Sequence, residues 1–217
     1  MPTHAVFFDF DGVLADTENV HVAAWQRTFR AMGWNESDET CSRAAEIDDR
    51  AFVAEVFARR KIEGGDAQGW ANRKQDLTLQ LLRDRPHLQP GVADLVHRLR
   101  EAGVALGVVA TTRRANVEAV LAASGLLDAF DILVTGDDVK VSKPDPEGYR
   151  LAIKRLKVKP GEAVAIEDSA TGLVAAQRAG LRVVAVTAVK PAGDWTGDAA
   201  WLPDLTDQSS VMAAIGL

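Results

Sequence analysis

Hydrophobic residues at the amino end of the chain form one short, uninterrupted run. The segment His4–Asp9 is apolar from Ala5 to Phe8 and closes on an acid, with a glycine three residues further on. A continuous apolar run of this length, bounded by a turn residue, is typical of a strand that is buried on both faces of a parallel sheet. The pattern therefore predicts a buried strand at the start of the chain.

Between about Thr17 and Arg85 the spacing of the apolar positions changes to that of helices, and almost no strand signal remains. The Gly64-Gly65 pair separates two of these helices, and Pro86 ends the last one. This stretch therefore predicts a block of helices. Its apolar positions are Val20, Ala24, Trp25, Thr28 and Phe29, then Phe52, Val53, Val56 and Phe57, and finally Leu77, Leu81 and Leu82.

From Pro90 onward, short apolar runs alternate with helical patterns, which implies parallel strands joined by right-handed crossovers. The class that this predicts is an α/β fold with a doubly wound, Rossmann-like parallel sheet. Residues 1–15 and 87–217 would form this core, and residues 16–86 an inserted all-helical cap domain at the carboxyl edge of the sheet, where such sheets bind ligands. The Gly/Pro/Asp-rich end, Ala192–Asp207, predicts no element. The predicted strands are Val104–Ala110, Ile132–Thr135, Ala163–Glu167 and Arg182–Thr187, and the predicted helices are Gly91–Ala102, Asn116–Ser124, Pro146–Leu156 and Thr171–Ala179.

Composition narrows the class of protein. Of the 217 residues, 47% are hydrophobic and 26% charged, which is typical of a globular protein, and the net charge of −6 comes without a dense Lys/Arg run, which argues against nucleic acid as a partner. Cys41 is the only cysteine, so an intrachain disulfide is excluded. No apolar run reaches about 18 residues, the length of a membrane span. We therefore expect a cytoplasmic protein that has no membrane contact.

The first candidate for chemistry is the pair Asp9 and Asp11 at the end of the first predicted strand. Residues two apart on an extended chain share a face, and Gly12 permits a sharp turn that lets both carboxylates reach one substrate. A carboxylate there can act as a nucleophile, and a second one nearby as a general acid and base. By itself the pattern is as well explained by a turn; a calcium loop is excluded because Val20 stands where its closing Glu belongs.

A second acidic pair, Glu167 and Asp168, ends the predicted strand Ala163–Glu167. The alternative interpretation is that Asp168 or Ser169 only caps the following helix. In a parallel sheet, however, both acidic strand ends lie at the same edge. Such a cluster repels itself unless a hard cation neutralises it, and ligation by oxygen alone favours Mg²⁺.

Two further segments follow strands. Lys143 lies between a strand and a helix in Ser142–Pro146, where Pro144 and Pro146 stiffen the loop; the alternative is a solvated surface lysine. Thr111 and Thr112 follow the strand Val104–Ala110, where hydroxyl and backbone N–H groups can bind a phosphate, although threonine at a strand end is commonplace.

The order of these motifs resembles that of the haloacid dehalogenase superfamily: a strand with DxDG, a strand with two threonines, a loop with Lys-Pro, and a strand with Glu-Asp. Within that superfamily, Asp9–Trp25 is similar to the β-phosphoglucomutase-like subfamily, which combines such a core with a helical cap. Val141–Pro146 and Ile166–Gly172 fit the same group. The resemblance covers nearly the whole chain.

This resemblance implies a role for each residue of the core. Asp9 would attack phosphorus and become an aspartyl phosphate, and Asp11 would protonate the leaving oxygen and later activate the incoming nucleophile. Mg²⁺ would be held by Asp9, the backbone carbonyl of Asp11, and Asp168, with support from Glu167. The transferring phosphoryl oxygens would be bound by Thr111, Thr112 and Lys143. One alternative register of this motif puts Ala110 at the position of Thr111.

In the cap, the resemblance makes His21 a contact between substrate and cap, and Lys74 a substrate-facing lysine; the alternative for each is an ordinary residue of a helix surface. Where related mutases tend to have Gly followed by a substrate-gripping Arg, this chain has Glu46, and Arg50 is shifted by one position. Because an acid there would repel a second phosphate, the sequence favours a phosphatase over a mutase.

The predicted activity is thus Mg²⁺-dependent hydrolysis of a small phosphorylated metabolite, a sugar phosphate, by a monomer or weak homo-oligomer. The main alternative is a β-phosphoglucomutase-type sugar-phosphate mutase. A dehalogenase or phosphonate hydrolase fits less well, because such relatives generally lack an acid at the place of Asp11. A non-catalytic binder of phosphorylated metabolites fits poorly with the four intact residues Asp9, Asp11, Lys143 and Asp168.

Overall fold

The computed structural model describes residues 2–46, 49–84, 88–189 and 199–217. Two compact units make up the chain: one consists of Met1–Asp16 with His87–Leu217, and the other of Thr17–Pro86. Ile47 and Asp48, in the segment that departs from the mutase pattern, lie outside the described residues, as does the side chain of Glu46. The prediction of an acid at that point in a substrate pocket therefore stays a prediction.

The unit Thr17–Pro86 is helical throughout its described part. It contains α1 (Glu18–Ala31), α2 (Asp38–Ser42), α3 (Asp49–Arg59) and α4 (Ala67–Asp84). Its core is aromatic: the ring of Trp25 stacks on Phe29 at a centroid distance of 5.4 Å and meets the edge of Phe52 at 4.8 Å. The apolar positions that predicted α1 and α3 are the ones these helices bury.

Helix α4 differs, because its buried face is largely polar. Leu77 and Leu81, which the sequence pattern used, are only half-buried. The residues that α4 buries are Ala71, Lys74, Gln75, Thr78 and Leu82. A buried lysine needs a charge partner, and the partner of Lys74 is described with the site.

The other unit is built on a parallel sheet. Its six described strands lie in the order β3-β2-β1-β4-β5-β6, and every neighbouring pair is parallel. This order is the doubly wound one, in which the chain reverses its direction of winding between β1 and β4. The predicted α/β class is confirmed. The strands are β1 (Ala5–Phe8), β2 (Ala105–Val109), β3 (Ile132–Val134), β4 (Ala163–Glu167), β5 (Arg182–Val186) and β6 (Ala200–Leu202).

Helices follow the strands as crossover connections. The described ones are α5 (Val92–Glu101), α6 (Arg114–Ala123), α7 (Glu147–Leu156), α8 (Ala170–Arg178) and α9 (Gln208–Ile215). Helices α5 to α8 lie within two residues of their predicted bounds. Strand β6 and helix α9 were not predicted, because Gly, Pro and Asp dominate the sequence before them and β6 has only three residues. Across the described part of the chain, no helix combines the length and apolarity needed to cross a bilayer.

The register of the central strands places the first acid. Phe8 pairs with Val108 of β2 on one side and with Ile166 of β4 on the other. The N–H of Asp9 donates a hydrogen bond to the carbonyl of Ile166 at 2.9 Å. Asp9 therefore leaves the sheet beside the last residue of β4, at the point where open α/β sheets bind ligands.

The chain leaves and re-enters this unit at one place. Ala15 forms an antiparallel bridge with Leu88. The N–H of Gln89 donates to the carbonyl of Leu14 at 2.9 Å. Backbone hydrogen bonds thus hold the two flanks of the helical insertion against each other.

Candidate active site

Asp9 is a buried carboxylate with a fixed orientation. Its side chain accepts a hydrogen bond on Oδ1 from the N–H of Phe10 at 2.7 Å. The Nζ of Lys143 lies 2.8 Å from the same oxygen. A backbone donor and a cation therefore fix the orientation of this carboxylate, as a nucleophile requires.

Lys143 is held between two acids. Besides Asp9, its Nζ lies 2.6 Å from Oε1 of Glu167, and its side chain is only 7% exposed. Burial works against the charge of this lysine, but the carboxylates of Asp9 and Glu167 outweigh it and raise the pKa of its ammonium group. The alternative interpretation of Lys143 as a solvated surface lysine is therefore wrong.

The first turn of helix α7 fixes the loop that carries Lys143. The carboxylate of Glu147, in the first turn of α7, accepts hydrogen bonds from the N–H groups of Lys140 and Val141. Asp145 in turn accepts from the N–H of Glu147 at 2.9 Å. These contacts, together with the two prolines, keep the lysine in place without help from a ligand.

Two more carboxylates join Asp9 at the end of β4. Asp9, Glu167 and Asp168 each offer one oxygen, and these oxygens all lie within 4.8 Å of one another. Burial, and after it the charge of Asp9, raises the pKa of Asp168 to about 7. The same two causes raise the pKa of the fully buried Glu167. Each acid thus makes the next one harder to ionise, and the group favours a cation among its oxygens.

Glycines make room for these acids. A Cβ on Gly12, whose φ is +80°, would lie 1.7 Å from Oδ2 of Asp168, and a Cβ on Gly172 would lie 2.0 Å from Oε2 of Glu167. Gly12 therefore serves the approach of Asp168 as well as the turn. Helix α8 is capped by Ser169, whose Oγ accepts from the N–H of Gly172 at 3.1 Å. Capping thus explains Ser169 and leaves Asp168 to the acidic cluster.

Asp11 lies in a tight turn directly after Asp9. The N–H of Gly12 donates to the carbonyl of Ala15 at 2.9 Å, and Asp11 bridges to Ala15. Asp11 is half-buried, and its charge contributes to the raised pKa of Asp168. The structure thus brings the two predicted acids Asp9 and Asp11 to the same edge of the sheet, while the role of each stays a prediction.

The threonines that follow β2 differ in their surroundings. Thr111 is exposed and lines a small pocket together with Lys143, whereas Ala110 beside it is buried. The Oγ1 of Thr112 accepts a hydrogen bond from Nδ2 of the buried Asn116 at 3.1 Å. Of the two registers left open, the one that puts Thr111 at the phosphate-binding position is the one with an accessible hydroxyl beside Lys143.

The helical unit contains its own buried polar cluster, formed by the two predicted cap residues and a third residue. The Nζ of Lys74 lies 3.0 Å from Nδ1 of His21 and 3.0 Å from Oδ1 of Asp49. Burial, and then the charge of Lys74, lowers the pKa of His21 to about 3, so its imidazole is neutral at physiological pH. Neither residue is the ordinary surface residue of the alternative interpretation.

Three residues of these clusters were not predicted. Asp49, Asn116 and Tyr149 are a helix-start acid, a helix amide and a helix tyrosine, and as types they carry no chemical signal in a sequence. Tyr149 is fully buried on α7, and its Oη lies 2.5 Å from Oε1 of Glu167. In the sequence, the one feature that links Tyr149 to this site is that it lies six residues after Lys143.

Comparison with known proteins agrees with this geometry. The model of the haloacid dehalogenase-like hydrolase family matches residues 6–186. Protein CbbY of Rhodobacter capsulatus is 35% identical over 216 residues, which cover 95% of each chain. The validoxylamine A 7'-phosphate phosphatase of Streptomyces hygroscopicus subsp. limoneus is 34% identical over 204 residues, covering 92% of this chain and 93% of that one.

A solved structure extends the likeness to the fold. The crystal structure of a CbbY mutant from Rhodobacter sphaeroides in complex with xylulose-(1,5)bisphosphate superimposes with a TM-score of 0.78 at 32% identity, over 94% of this chain and 96% of that one. The acidic cluster together with a relative named as a phosphatase indicates a phosphoric monoester hydrolase. This chain belongs to the haloacid dehalogenase-like hydrolase family. The predicted superfamily is confirmed. Its β-phosphoglucomutase-like branch is confirmed by the crystal structure of a putative β-phosphoglucomutase from Thermotoga maritima, which has a TM-score of 0.82 at 27% identity over 98% of this chain and 99% of that one.

Proposed function

We propose that this protein is a Mg²⁺-dependent phosphatase that hydrolyses a small phosphorylated metabolite, a sugar phosphate. The observation that carries the proposal is the position of Lys143, whose Nζ joins Asp9 and Glu167 inside a buried cluster with more acids than cations. Relatives that act on phosphorylated carbohydrates support the substrate class: one is named a validoxylamine A 7'-phosphate phosphatase, and CbbY has been solved with a sugar bisphosphate.

Asp9 is the proposed nucleophile. Its carboxylate attacks phosphorus, an Asp9–phosphorus bond forms, and the bond from phosphorus to the ester oxygen breaks. Asp11 gives its proton to that leaving oxygen and then takes a proton from the water that hydrolyses the aspartyl phosphate. Lys143 offsets negative charge on Asp9 and the phosphoryl group, and the hydroxyls of Thr111 and Thr112 are proposed to bind phosphoryl oxygens with it.

The donor set fits a magnesium ion. Asp9, Glu167 and Asp168 supply only oxygen, which is the ligand type that Mg²⁺ prefers, and the backbone carbonyl of Asp11 is the proposed fourth protein ligand. The buried Oε2 of Glu167 has no hydrogen-bond partner among the described residues, as expected of an atom that serves a cation or its water. When bound, Mg²⁺ supplies positive charge against the phosphoryl oxygens.

His21 and Lys74 are proposed to contact the substrate from the helical unit, which would act as the cap over the core. The contact between Lys74 and Asp49 supports a substrate with one phosphate, because the lysine charge is already matched by a carboxylate. A paired lysine attracts a second phosphate less than an unpaired one does. The protein is proposed to work in the cytoplasm as a monomer or weak homo-oligomer.

A phosphate-release screen over phosphorylated metabolites tests the proposal. We expect release from at least one sugar phosphate, dependent on added Mg²⁺ and abolished by EDTA. Metal-independent release would contradict the magnesium assignment, and the absence of release from every compound would contradict the phosphatase. The same reactions separate the alternative: a mutase would convert glucose 1-phosphate to glucose 6-phosphate in the presence of a priming bisphosphate, without net release of phosphate.

A further inference from the structure

Tyr149 contacts the acidic cluster through Glu167. It lies on α7 with no exposed surface, and its ring meets the edge of Phe7 on β1 at a centroid distance of 6.4 Å. The hydroxyl donates to Oε1 of Glu167 at 2.5 Å. The Nζ of Lys143 lies 5.4 Å from the centroid of the same ring, within the range of a cation–π contact.

The two carboxylate oxygens of Glu167 differ in their hydrogen-bond partners. Oε1 receives both the phenol of Tyr149 and the ammonium of Lys143. Oε2 is equally buried but has no hydrogen-bond partner among the described residues, and Gly172 leaves room for it. Since one oxygen is fixed by two donors, the carboxylate cannot rotate, and the other oxygen keeps a constant position.

We propose that Tyr149 is a positioning residue for the metal centre: its hydroxyl holds Glu167 in the orientation in which Oε2 is available to the divalent cation, directly or through a bound water. This inference rests on the proposed function. Groups that orient a metal-binding carboxylate through hydrogen bonds commonly change metal affinity by 10- to 100-fold when they are removed.

Lys143 alone cannot fix the orientation of the Glu167 carboxylate. Its Nζ also lies 2.8 Å from Asp9, so its position is a compromise between two carboxylates. The phenol has one acceptor, and its ring is wedged between β1 and the lysine.

Tyr149→Phe removes the hydroxyl and keeps the ring. We expect calorimetric titration of Mg²⁺ into the substrate-free protein to give a Kd that is at least tenfold weaker than that of the wild type. Thr135→Val is the matched control. It removes another fully buried hydroxyl that donates to a carboxylate, that of Asp138 at 2.8 Å in the same unit, and we expect it to leave the Mg²⁺ affinity within twofold of the wild type.

An affinity of Tyr149→Phe within twofold of the wild type would overturn the inference and leave the proposed phosphatase standing. A wild-type protein that releases phosphate from a sugar phosphate but binds no Mg²⁺ would overturn both the inference and the magnesium assignment. Equal weakening in Tyr149→Phe and Thr135→Val would also overturn the inference, because it would show a general loss of packing.

A second measurement avoids substitution altogether. Tyr149 is the only tyrosine of the chain, so labelling with [ζ-¹³C]tyrosine gives a single NMR signal from the atom that carries the hydroxyl. We expect Mg²⁺ to shift this signal with the same Kd that calorimetry gives. A signal that stays in place while Mg²⁺ binds would contradict the inference even if Tyr149→Phe fails to fold.

Discussion

Two buried lysines, one in each unit, have opposite surroundings. Lys143 in the sheet unit and Lys74 in the helical unit expose 7% and 4% of their side chains. Lys143 has carboxylates on two sides, Asp9 and Glu167, with Asp168 beside them. The partners of Lys74 include one carboxylate, that of Asp49, the neutral imidazole of His21, and the ring of Trp25 at 5.3 Å.

The difference lies in the balance of charge. The charge of Lys74 is matched by the carboxylate of Asp49, whose Oδ1 lies 3.0 Å from its Nζ. Around Lys143 three acids face one cation, and burial together with the charge of Asp9 raises the pKa values of Glu167 and Asp168. A buried excess of negative charge is costly unless a cation binds it, and the proposed Mg²⁺ would be that cation. Burying a lysine therefore fixes geometry in both units, and in the sheet unit it leaves an excess of negative charge for chemistry.

The strongest test of this contrast is removal of the proposed nucleophile. We expect Asp9→Asn to lower kcat for phosphate release by on the order of 10⁴-fold or more, because no other group takes over the covalent step. Its midpoint in thermal unfolding should not fall, because one repulsive charge has left the cluster. Asp128→Asn, at an exposed acid of the same unit, is the matched control and should keep full activity. Retained turnover in Asp9→Asn would refute the mechanism.

Next in size is the loss of each lysine. Lys143→Met leaves two buried carboxylates without their cation, and we expect it to lower the free energy of unfolding by about 3–5 kcal/mol. Lys74→Met leaves Asp49, whose side chain is 17% exposed, without its cation and should cost less, about 1–3 kcal/mol. Urea denaturation of both variants measures the difference. Equal costs would show that the two clusters do not differ as described.

Magnesium should stabilise the sheet unit alone. At a Mg²⁺ concentration of 100 times Kd, binding to the folded state raises the free energy of unfolding by about 2.7 kcal/mol. We expect this increase in the wild type and in Lys74→Met, and its loss in Asp168→Asn, which removes one proposed ligand. Denaturation with and without EDTA provides the measurement. A full response of Asp168→Asn would exclude Asp168 as a ligand.

The smallest expected effect concerns His21. Its pKa is about 3 in the folded protein against 6.5 in an unfolded chain, so the unfolded state takes up a proton first as the pH falls. The neutral imidazole therefore contributes stability above pH 6.5, and this contribution declines as the pH falls toward 3. Relative to His21→Gln, the wild type should lose about 1 kcal/mol between pH 6.5 and 5.5. Parallel stability curves for the two proteins would show that His21 is not buried as a neutral group.

The sheet and its acidic edge were predictable because the acidic residues stand at the ends of the apolar runs that predict the strands. Asp9 and Glu167 each end or follow an apolar run, and parallel strands bring such ends to one edge without further information. The positions of Lys143 and Thr111 followed from the same rule. Strand β6 escaped prediction because three residues after an irregular segment carry no periodicity, and it pairs only at the edge of the sheet.

The polar clusters were harder to predict, because they depend on contacts between distant helices. Lys74 and Asp49 are 25 residues apart, and nothing in the spacing of α3 and α4 indicates that they meet. Of the three leucines that predicted α4, only Leu82 is fully buried, and polar residues with no such signal share the buried face with it. Tyr149 shows the same limit, since only the packing of α7 on the sheet brings its hydroxyl to Glu167.

The bridge between Ala15 and Leu88 has a consequence for the modularity of the chain. The two flanks of the insertion are already joined by backbone hydrogen bonds within the sheet unit. The pairing of β1 with β2 therefore does not depend on the helical block between them. A short Gly-rich linker between Asp16 and Leu88 would close a far smaller loop than the natural one, at a lower cost in chain entropy. The helical block is thus a candidate for excision or for exchange with that of a relative, and such chimaeras would separate the choice of substrate from the chemistry at Asp9.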